Sequence, residues 1–390
     1  MASIRKRAWR SNGVERTAWI VDYFDQAGKR HLKTFGTKKE ADAWAVTALH
    51  EVRQGIHTPA SSSVTVSDVT ELWIVDCEAN GLEYGTIKQR REHLKLHIAP
   101  FLGREKLSAL STPRVHQFDA DLRDNGRSLA MRRKVLTNLK TILSFAQSKG
   151  LVAQNVALPV RIKVDARGES NGPLREGQDY PSRAELRLLM ENAPSRWRPF
   201  LVTAVFTGMR ASELRGLSWV NVDLDAAIIH VRQRADAWNT IGKPKSKAGS
   251  RDIPLAPMVV NALRQWREGP CPAGLLDLVF PNGNGNVESH ANITTRFWFP
   301  LQLKHQIAVD SGEKDEAGNP VLAAKYGLHA LRHAAASLFI AHLGWTPKRV
   351  QAVMGHASIT MTFDRYGHLF EDREGDREAM KKLEAAIVAA

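Results

Sequence analysis

A chain of 390 residues, 43% hydrophobic and 25% charged, has ordinary globular composition and room for two or three domains of roughly 100 to 200 residues, which excludes disordered, collagen-like and rod-like classes. Its net charge of +14 points to a polyanionic partner. Two cysteines, Cys77 and Cys271, cannot build a disulfide framework or a cysteine-based zinc site, and no apolar run reaches the roughly 18 residues of a membrane span; we expect a soluble protein of a reducing intracellular compartment. The basic residues outnumber the acidic ones by five in residues 1–60, by four in 61–160 and by five in 161–390. The excess is therefore spread along the chain rather than held in one basic tail.

The N-terminal segment reads as two or three antiparallel strands and a helix. Asn12-Gly13 is a tight-turn signal, Thr17 to Phe24 is rich in β-branched and aromatic residues, and Asp25-Gln26-Ala27-Gly28 separates it from Lys29 to Phe35. Thr37-Lys38-Lys39-Glu40 is a capping box opening a helix with Ala41, Trp44, Ala45, Ala48, Leu49 and Val52 at helical spacing, ending near Gly55. Arg5, Lys6, Arg7, Arg10, Lys29, Arg30 and Lys33 lie on or beside the strands. They suit either a DNA groove or a solvated sheet edge protected against pairing.

After a small-residue linker, His57 to Ser63, the pattern turns helical: Ser67 to Glu78, Thr86 to Ile98 opened by a Thr86/Gln89 box, Thr112-Pro113 to Asp124, and a helix capped by Ser128 that ends at Gly150. Lys88, Arg90, Arg91, Arg132, Arg133, Lys134 and Lys140 sit among the apolar positions of these helices, the pattern of a bundle's wet face. An aperiodic stretch, Val164 to Gln178, forms a second linker. Beyond it a Ser182/Glu185 capping box opens a mainly helical unit with a β region from Ile228 to Leu255.

The chemistry-bearing residues lie in this last unit. Arg210 stands in Thr207-Gly208-Met209-Arg210-Ala211-Ser212-Glu213-Leu214, between one helix and the next; 119 residues later comes His329-Ala330-Leu331-Arg332-His333, and then Gly355-His356-Ala357-Ser358-Ile359-Thr360-Met361-Thr362-Phe363-Asp364-Arg365-Tyr366. A guanidinium binds phosphate oxygens bidentately and does not lose its proton, so Arg210 and Arg332 suit a phosphate under attack. His329 and Arg332 are three residues apart on a helix predicted for 330–343 and share one face. A tyrosine hydroxyl, with an ordinary pKa near 10, needs a base or nearby positive charge to become a nucleophile. Each residue also has a structural reading: Arg210 can pair with Glu213, His333 can be a buried partner, His329 and His333 can be a zinc pair, Tyr366 can be core, and Tyr326 competes as nucleophile.

Together and in this order, the three blocks resemble the tyrosine recombinase (phage integrase) family, in which an arginine block, an H-x-L-R-H block and a Gly-His followed about ten residues later by tyrosine form the signature. Met354 stands where leucine is usual before Gly-His, and Ala211 where isoleucine or proline is common. The resemblance implies a mainly α, multidomain fold with small β parts: an arm-type DNA-binding domain (three-stranded sheet plus helix, 1–57), a four-helix core-binding SAM-like domain (64–156) and a mixed α/β catalytic domain (175–390). It implies a site-specific recombinase that integrates and excises a phage or mobile element through a 3′-phosphotyrosyl intermediate. Arg210 and Arg332 would stabilise the phosphorane, His329 would act in proton transfer at the nucleophile Tyr366, and His356 would bond a non-bridging oxygen. A lysine on a β-hairpin would be general acid; Lys247 matches its position, with Lys245 open as the alternative because a two-residue shift keeps one face of a strand.

The implied partners are double-stranded DNA at core and arm attachment sites, a homotetramer on DNA, a host DNA-bending protein and an excision directionality factor, in the cytoplasm of a bacterial host and with no membrane. No cofactor or metal is implied, because the phosphotyrosine conserves the bond energy. Two other functions remain open to the same residues: a transposon recombinase or type IB topoisomerase, and a non-enzymatic DNA-binding regulator on the same fold. In the family the C-terminal segment often docks on a neighbouring subunit, and Met380, Leu383, Ile387 and Val388 share roughly one helical face suited to that packing or to covering their own domain.

Overall fold

The structure is a computed structural model that describes residues 2–11, 14–25, 28–54, 59, 63–162, 173–370 and 373–388. Two units separate along the chain, Met1–Gly168 and Glu169–Ala390. The fold is multidomain and mainly helical, with small sheets.

The first unit begins with strands β1 (Ser3–Ser11), β2 (Val14–Phe24) and β3 (Arg30–Phe35), paired antiparallel in the order β1-β2-β3. Ser11 pairs with Val14, so the β1–β2 connection spans the predicted Asn12-Gly13 turn, whose two residues lie outside the described ones, as do Gln26 and Ala27 of the next. Helix α1 (Lys38–Gln54) follows, opened by the expected reciprocal box in which Thr37 N donates to Glu40 Oε2 and Glu40 N to Thr37 Oγ1. Its Ala41 and Ala45 pack on Val21 and Tyr23, with Trp44 edge-on to the Tyr23 ring at 5.2 Å. The basic strand residues divide. Arg30 forks onto Asp22, which the exposed Arg5 also approaches at 4.0 Å, and Lys33 sits 4.6 Å above the Trp44 ring, whereas Lys6, Arg7 and Arg10 are exposed.

A second, separate core is built by α2 (Val66–Ala79), α3 (Tyr84–His93), which runs through a π turn into α4 (Ala99–Leu102), then α5 (Thr112–Asp124) and α6 (Leu129–Ser148). The apolar positions read from the sequence on α6, Val135, Leu136, Leu139, Ile142, Leu143 and Ala146, are buried; each full-size aliphatic among them contributes about 1.5–3 kcal/mol by leaving water. The Thr86/Gln89 box does not form. The helix starts one turn earlier, with Glu83 as N-cap, and Thr86 N already bonds Glu83 O at 2.8 Å, so its hydroxyl lies inside the first turn rather than ahead of it. Several residues expected on the wet face are tied down: Arg132 forks onto Asp119, Arg91 bonds Glu78 at 2.9 Å, Arg90 lies over Trp73 and Lys140 donates to Val160 O.

In the second unit the Ser182/Glu185 box opens α7 (Arg183–Asn192) as expected. There follow α8 (Arg198–Thr207) and the short α9 (Ala211–Arg215), then β4 (Val222–Asp223), β5 (Ile228–Val231), β6 (Arg234–Ala235), β7 (Ile241–Gly242) and β8 (Arg251–Pro254), forming a β4-β5-β8 sheet and a β6-β7 hairpin. Next come α10 (Pro257–Glu268), α11 (His290–Asn292), which continues through a π turn, α12 (Phe299–Lys304), and a hairpin that no sequence signal announced, β9 (Ala308–Lys314) with β10 (Pro320–Ala324). The chain ends in α13 (Ala330–Ala341), α14 (Pro347–Met354), α15 (Ile359–Tyr366) and α16 (Arg373–Val388). One core joins α8, α10 and α13 and includes Met354, Tyr326 and Tyr366. On α16, Met380, Leu383 and Ile387 are exposed; no described helix is long and apolar enough to cross a membrane.

Candidate active site

Two left-handed glycines organise the site. Gly208 (φ +61°) caps α8 and Gly355 (φ +65°) caps α14; an L side chain is strained at such φ values. The last turn of a helix leaves carbonyls without intrahelical partners, and here arginines bind them. Arg332, 4% exposed, donates from Nη1 to Gly208 O at 2.7 Å and from Nη2 to Met354 O. Arg210, the N-cap of α9, donates from Nη2 to Gly355 O at 2.9 Å. The two arginines singled out in sequence are thereby drawn together by the ends of α8 and α14.

A third arginine, Arg251 at the start of β8, was not among the sequence candidates. It forks onto Glu213 at 3.0 and 2.8 Å, donates to Gly249 O at 2.9 Å and reaches Val353 O through Nε. Glu213 also accepts from Arg210 Nη1 and from the Arg210 backbone N, each at 2.8 Å, so the Arg210–Glu213 pair expected on structural grounds does form. It leaves Arg210 its second fork arm for Gly355. Burial opposes ionisation of Glu213, but the Arg251 hydrogen bonds and the Arg251 and Arg210 charges outweigh it and hold the carboxyl at about 2. A single carboxylate within this arginine cluster leaves surplus positive charge, the electrostatics of an oxyanion site.

Tyr366, the last residue of α15, is 2% exposed. Its hydroxyl lies 2.7 Å from His333 Nδ1, and the phenol O–H donates in the tautomer whose proton is on Nε2. Burial pushes Tyr366 up to about 12, against the lowering pull of Arg332 and Arg365. Burial and the positive neighbours Arg365 and Arg332 bring His333 down to about 4, with the adjoining His329 also contributing. His329 itself is the exposed N-cap residue of α13 and stands edge-on to the His333 ring, centroids 4.8 Å apart. The hydroxyl's imidazole neighbour is thus the second histidine of the H-x-L-R-H block. Spacing along a helix could not distinguish the two, because both lie within one turn of Arg332. His356, buried, has Nδ1 3.0 Å from Thr362 Oγ1, and burial, followed by the Arg332, Arg210 and Arg251 charges, lowers it to about 3. Tyr326 is buried and bonded to Glu185 through its hydroxyl, its pKa raised by burial and by that carboxylate, an unfavourable setting for a nucleophile.

The lysines lie differently from the expectation. Neither Lys245 nor Lys247 is on a strand: residues 243–250 connect β7 to β8, and Lys247 begins a short 3-10 turn, Lys247–Gly249, closed by Gly249 N to Ser246 O at 2.9 Å. Pro244, which has no N–H for a ladder, lies against that turn: a Cβ on Gly249 would come within 2.7 Å of Pro244 Cβ. The same-face argument for Lys245 therefore does not apply. The turn does reach the site, since a Cβ on Gly355 would lie 2.9 Å from Ala248 O and 2.9 Å from Arg251 Nη1. Lys247 is exposed beside it.

Comparison with known proteins adds an independent line. The Phage integrase family matches residues 182–373 and the N-terminal SAM-like domain of phage integrases matches residues 65–122, together well over half of the chain. A tyrosine recombinase XerC-like protein of Caldanaerobacter subterraneus is 23% identical over 359 residues, covering 88% of this chain and 90% of its own length. The integrase of Mycobacterium phage L5 is 24% identical over 400 residues, covering 97% and 98%. Among solved structures, a Tn1549 transposon integrase in complex with a circular intermediate DNA superposes with a TM-score of 0.64 at 20% identity, over 82% of this chain and all of that one. A lambda integrase tetramer bound to a Holliday junction gives 0.55 at 18% identity, over 90% and 96%. These structures share the fold.

Proposed function

Because the chain belongs to the tyrosine recombinase (phage integrase) family and is a site-specific DNA recombinase, we propose that Tyr366 is its nucleophile and that it integrates and excises a phage or mobile element at attachment sites. The observation that carries this reading is the Tyr366 hydroxyl bonded to His333 one residue after Arg332, whose guanidinium bonds Gly208 O and Met354 O while that of Arg210 bonds the adjoining Gly355 O, at the ends of α8 and α14.

In the proposed step the Tyr366 oxygen attacks the scissile phosphorus, the bond to the 5′-oxygen breaks, and a 3′-phosphotyrosyl enzyme and a 5′-hydroxyl result. The hydroxyl proton leaves through the histidine pair, received at His333 Nδ1, with the His329 ring edge-on beside it on the solvent side. Arg210 and Arg332 bind the non-bridging oxygens, whose charge grows in the phosphorane. His356, with Nδ1 on Thr362, offers Nε2 to one of those oxygens. Lys247 protonates the leaving 5′-oxygen, with Lys245 the second candidate. Since Tyr366 is 2% exposed, α15 shifts when DNA binds so that the oxygen reaches phosphorus. The chain works as three parts, an arm-binding domain (1–57), a core-binding domain (64–156) and a catalytic domain (175–390), assembled as a tetramer on DNA, with a host DNA-bending protein and a directionality factor as further partners in the bacterial cytoplasm.

The direct test is Tyr366→Phe on a nicked suicide substrate carrying the core site. We expect target binding without a covalent protein–DNA adduct. An adduct that persists overturns the assignment of the nucleophile.

A further inference from the structure

We propose that Arg215 is a positioning residue for the leaving-group lysine; this rests on the general-acid reading above and deepens it. Arg215 is 3% exposed and ends α9, the five-residue helix whose N-cap is Arg210. Its guanidinium bridges two loops through three acceptors: Nε donates to Glu288 O at 2.6 Å, Nη1 to Asp236 O at 3.0 Å, and Nη2 to the side-chain oxygen of Asn239. Asp236 and Asn239 form the tip of the β6–β7 hairpin, held rigid because Asp236 Oδ1 accepts the backbone N–H of Trp238 and Thr240. The next residue, Gly216, meets β6 so closely that a Cβ there would fall 2.5 Å from the Arg234 carbonyl carbon. Gln233 Nε2 donates to Gly216 O at 2.7 Å.

The consequence lies in connectivity. The lysine segment, residues 243–250, leaves β7 at Gly242 and enters β8 at Arg251. Arg251 is bound by Glu213 of α9, and the hairpin that launches the segment is bound by Arg215 of α9. Both ends of the lysine segment are therefore fixed to the helix that carries Arg210, which sets the distance between the phosphate clamp and the proton donor. A buried guanidinium is costly where an aliphatic side chain would pack without loss; Arg215 meets that cost with three acceptors on segments that packing alone would leave independent.

The experiment uses the full-length protein and two suicide substrates, an ordinary phosphodiester and one with a bridging 5′-sulfur, whose leaving group needs no proton. Arg215→Met is expected to cleave the ordinary substrate roughly 10- to 100-fold more slowly, the scale of a misplaced catalytic group, and the sulfur substrate within about threefold of the parent, as in the Lys247→Ala, Lys245→Ala double variant. Arg210→Ala should be slow on both. Equal losses on both substrates for Arg215→Met, or no loss on either, overturn the positioning role. If the double lysine variant is itself not rescued by sulfur, the general-acid reading fails and this proposal with it; rescue of the lysine variant but not of Arg215→Met overturns the proposal alone. Asn239→Gly, which suits that residue's φ of +65° and removes one bond from the hairpin side, gives the same contrast at smaller size should Arg215→Met fold poorly.

Discussion

Glu213 and the arginines around it show how single residues serve both stability and chemistry. Glu213 holds Arg251, which is 6% exposed in its side chain, and Arg210, which is 34% exposed. Removing one partner of a buried pair leaves an uncompensated charge and costs about 3–5 kcal/mol, so Glu213→Ala should lower the unfolding free energy by at least about 3 kcal/mol, read from tryptophan fluorescence in a urea titration. Arg332→Lys should behave otherwise. A lysine cannot reach the Gly208 and Met354 carbonyls at once or bind phosphate through a planar fork, and cleavage should fall about 100-fold or more while target binding in a gel-shift assay persists. The histidines make a pH prediction. His333 and His356 are held neutral, their pKa values lowered from about 6.5 to about 4 and about 3. A depressed folded value means that the stabilisation is complete above the unfolded pKa and is lost as pH falls toward the folded one. The second unit should therefore weaken between pH about 6.5 and about 4, and His333→Gln should flatten that part of the stability profile; an unchanged profile would remove His333 from the account.

At the scale of elements, the helices were largely legible because their start signals are local. The Thr37/Glu40 and Ser182/Glu185 boxes form as read, and α5 runs from Thr112 to Asp124, as its Thr-Pro start and apolar spacing suggested. The Thr86/Gln89 pattern failed because a residue pair that fits a cap also fits an ordinary first turn, and chain entry from Glu83 decided between them. The lysine segment is expected on a β-hairpin from its likeness to the family, but it folds as a connection with a 3-10 turn at Lys247–Gly249, because Pro244 lacks a ladder N–H and packs against Gly249, contacts made across the segment. The β9–β10 hairpin escaped notice because its strands are almost wholly exposed and carry no apolar alternation. The joint between α14 and the lysine turn is open to test: Gly355→Ala places a Cβ against Ala248 O and Arg251 in a φ region unfavourable to alanine. Thermal unfolding should shift down, and cleavage should suffer more than binding.

Across the whole molecule, the charge of +14 divides almost evenly over the segments, which suits a protein whose separate parts grip one polyanion. Deleting residues 1–60 removes a net charge of +5. It should abolish binding to distal arm sites, spare the core site, and reduce the salt dependence of affinity on DNA carrying both sites, each lost phosphate contact lowering the logarithmic slope by about 0.9. Equal loss at core and arm sites would sink the division into two binding modules.

The sequence by itself determined the class of fold and the family, and nominated Arg210, Lys247, His329, Arg332, His356 and Tyr366 as candidates, because these depend on local periodicity and on short contiguous motifs. Tertiary structure alone decided which groups meet. That Arg332 binds Gly208 O from 124 residues away, that His333 rather than its neighbour on the same turn faces Tyr366, and that Glu213 and Arg215 hold the two ends of the lysine segment follow from helix ends packing together. The physical reason is that hydrogen-bond partners at helix termini are supplied by whatever the core brings within about 3 Å, and a linear pattern carries no record of that distance.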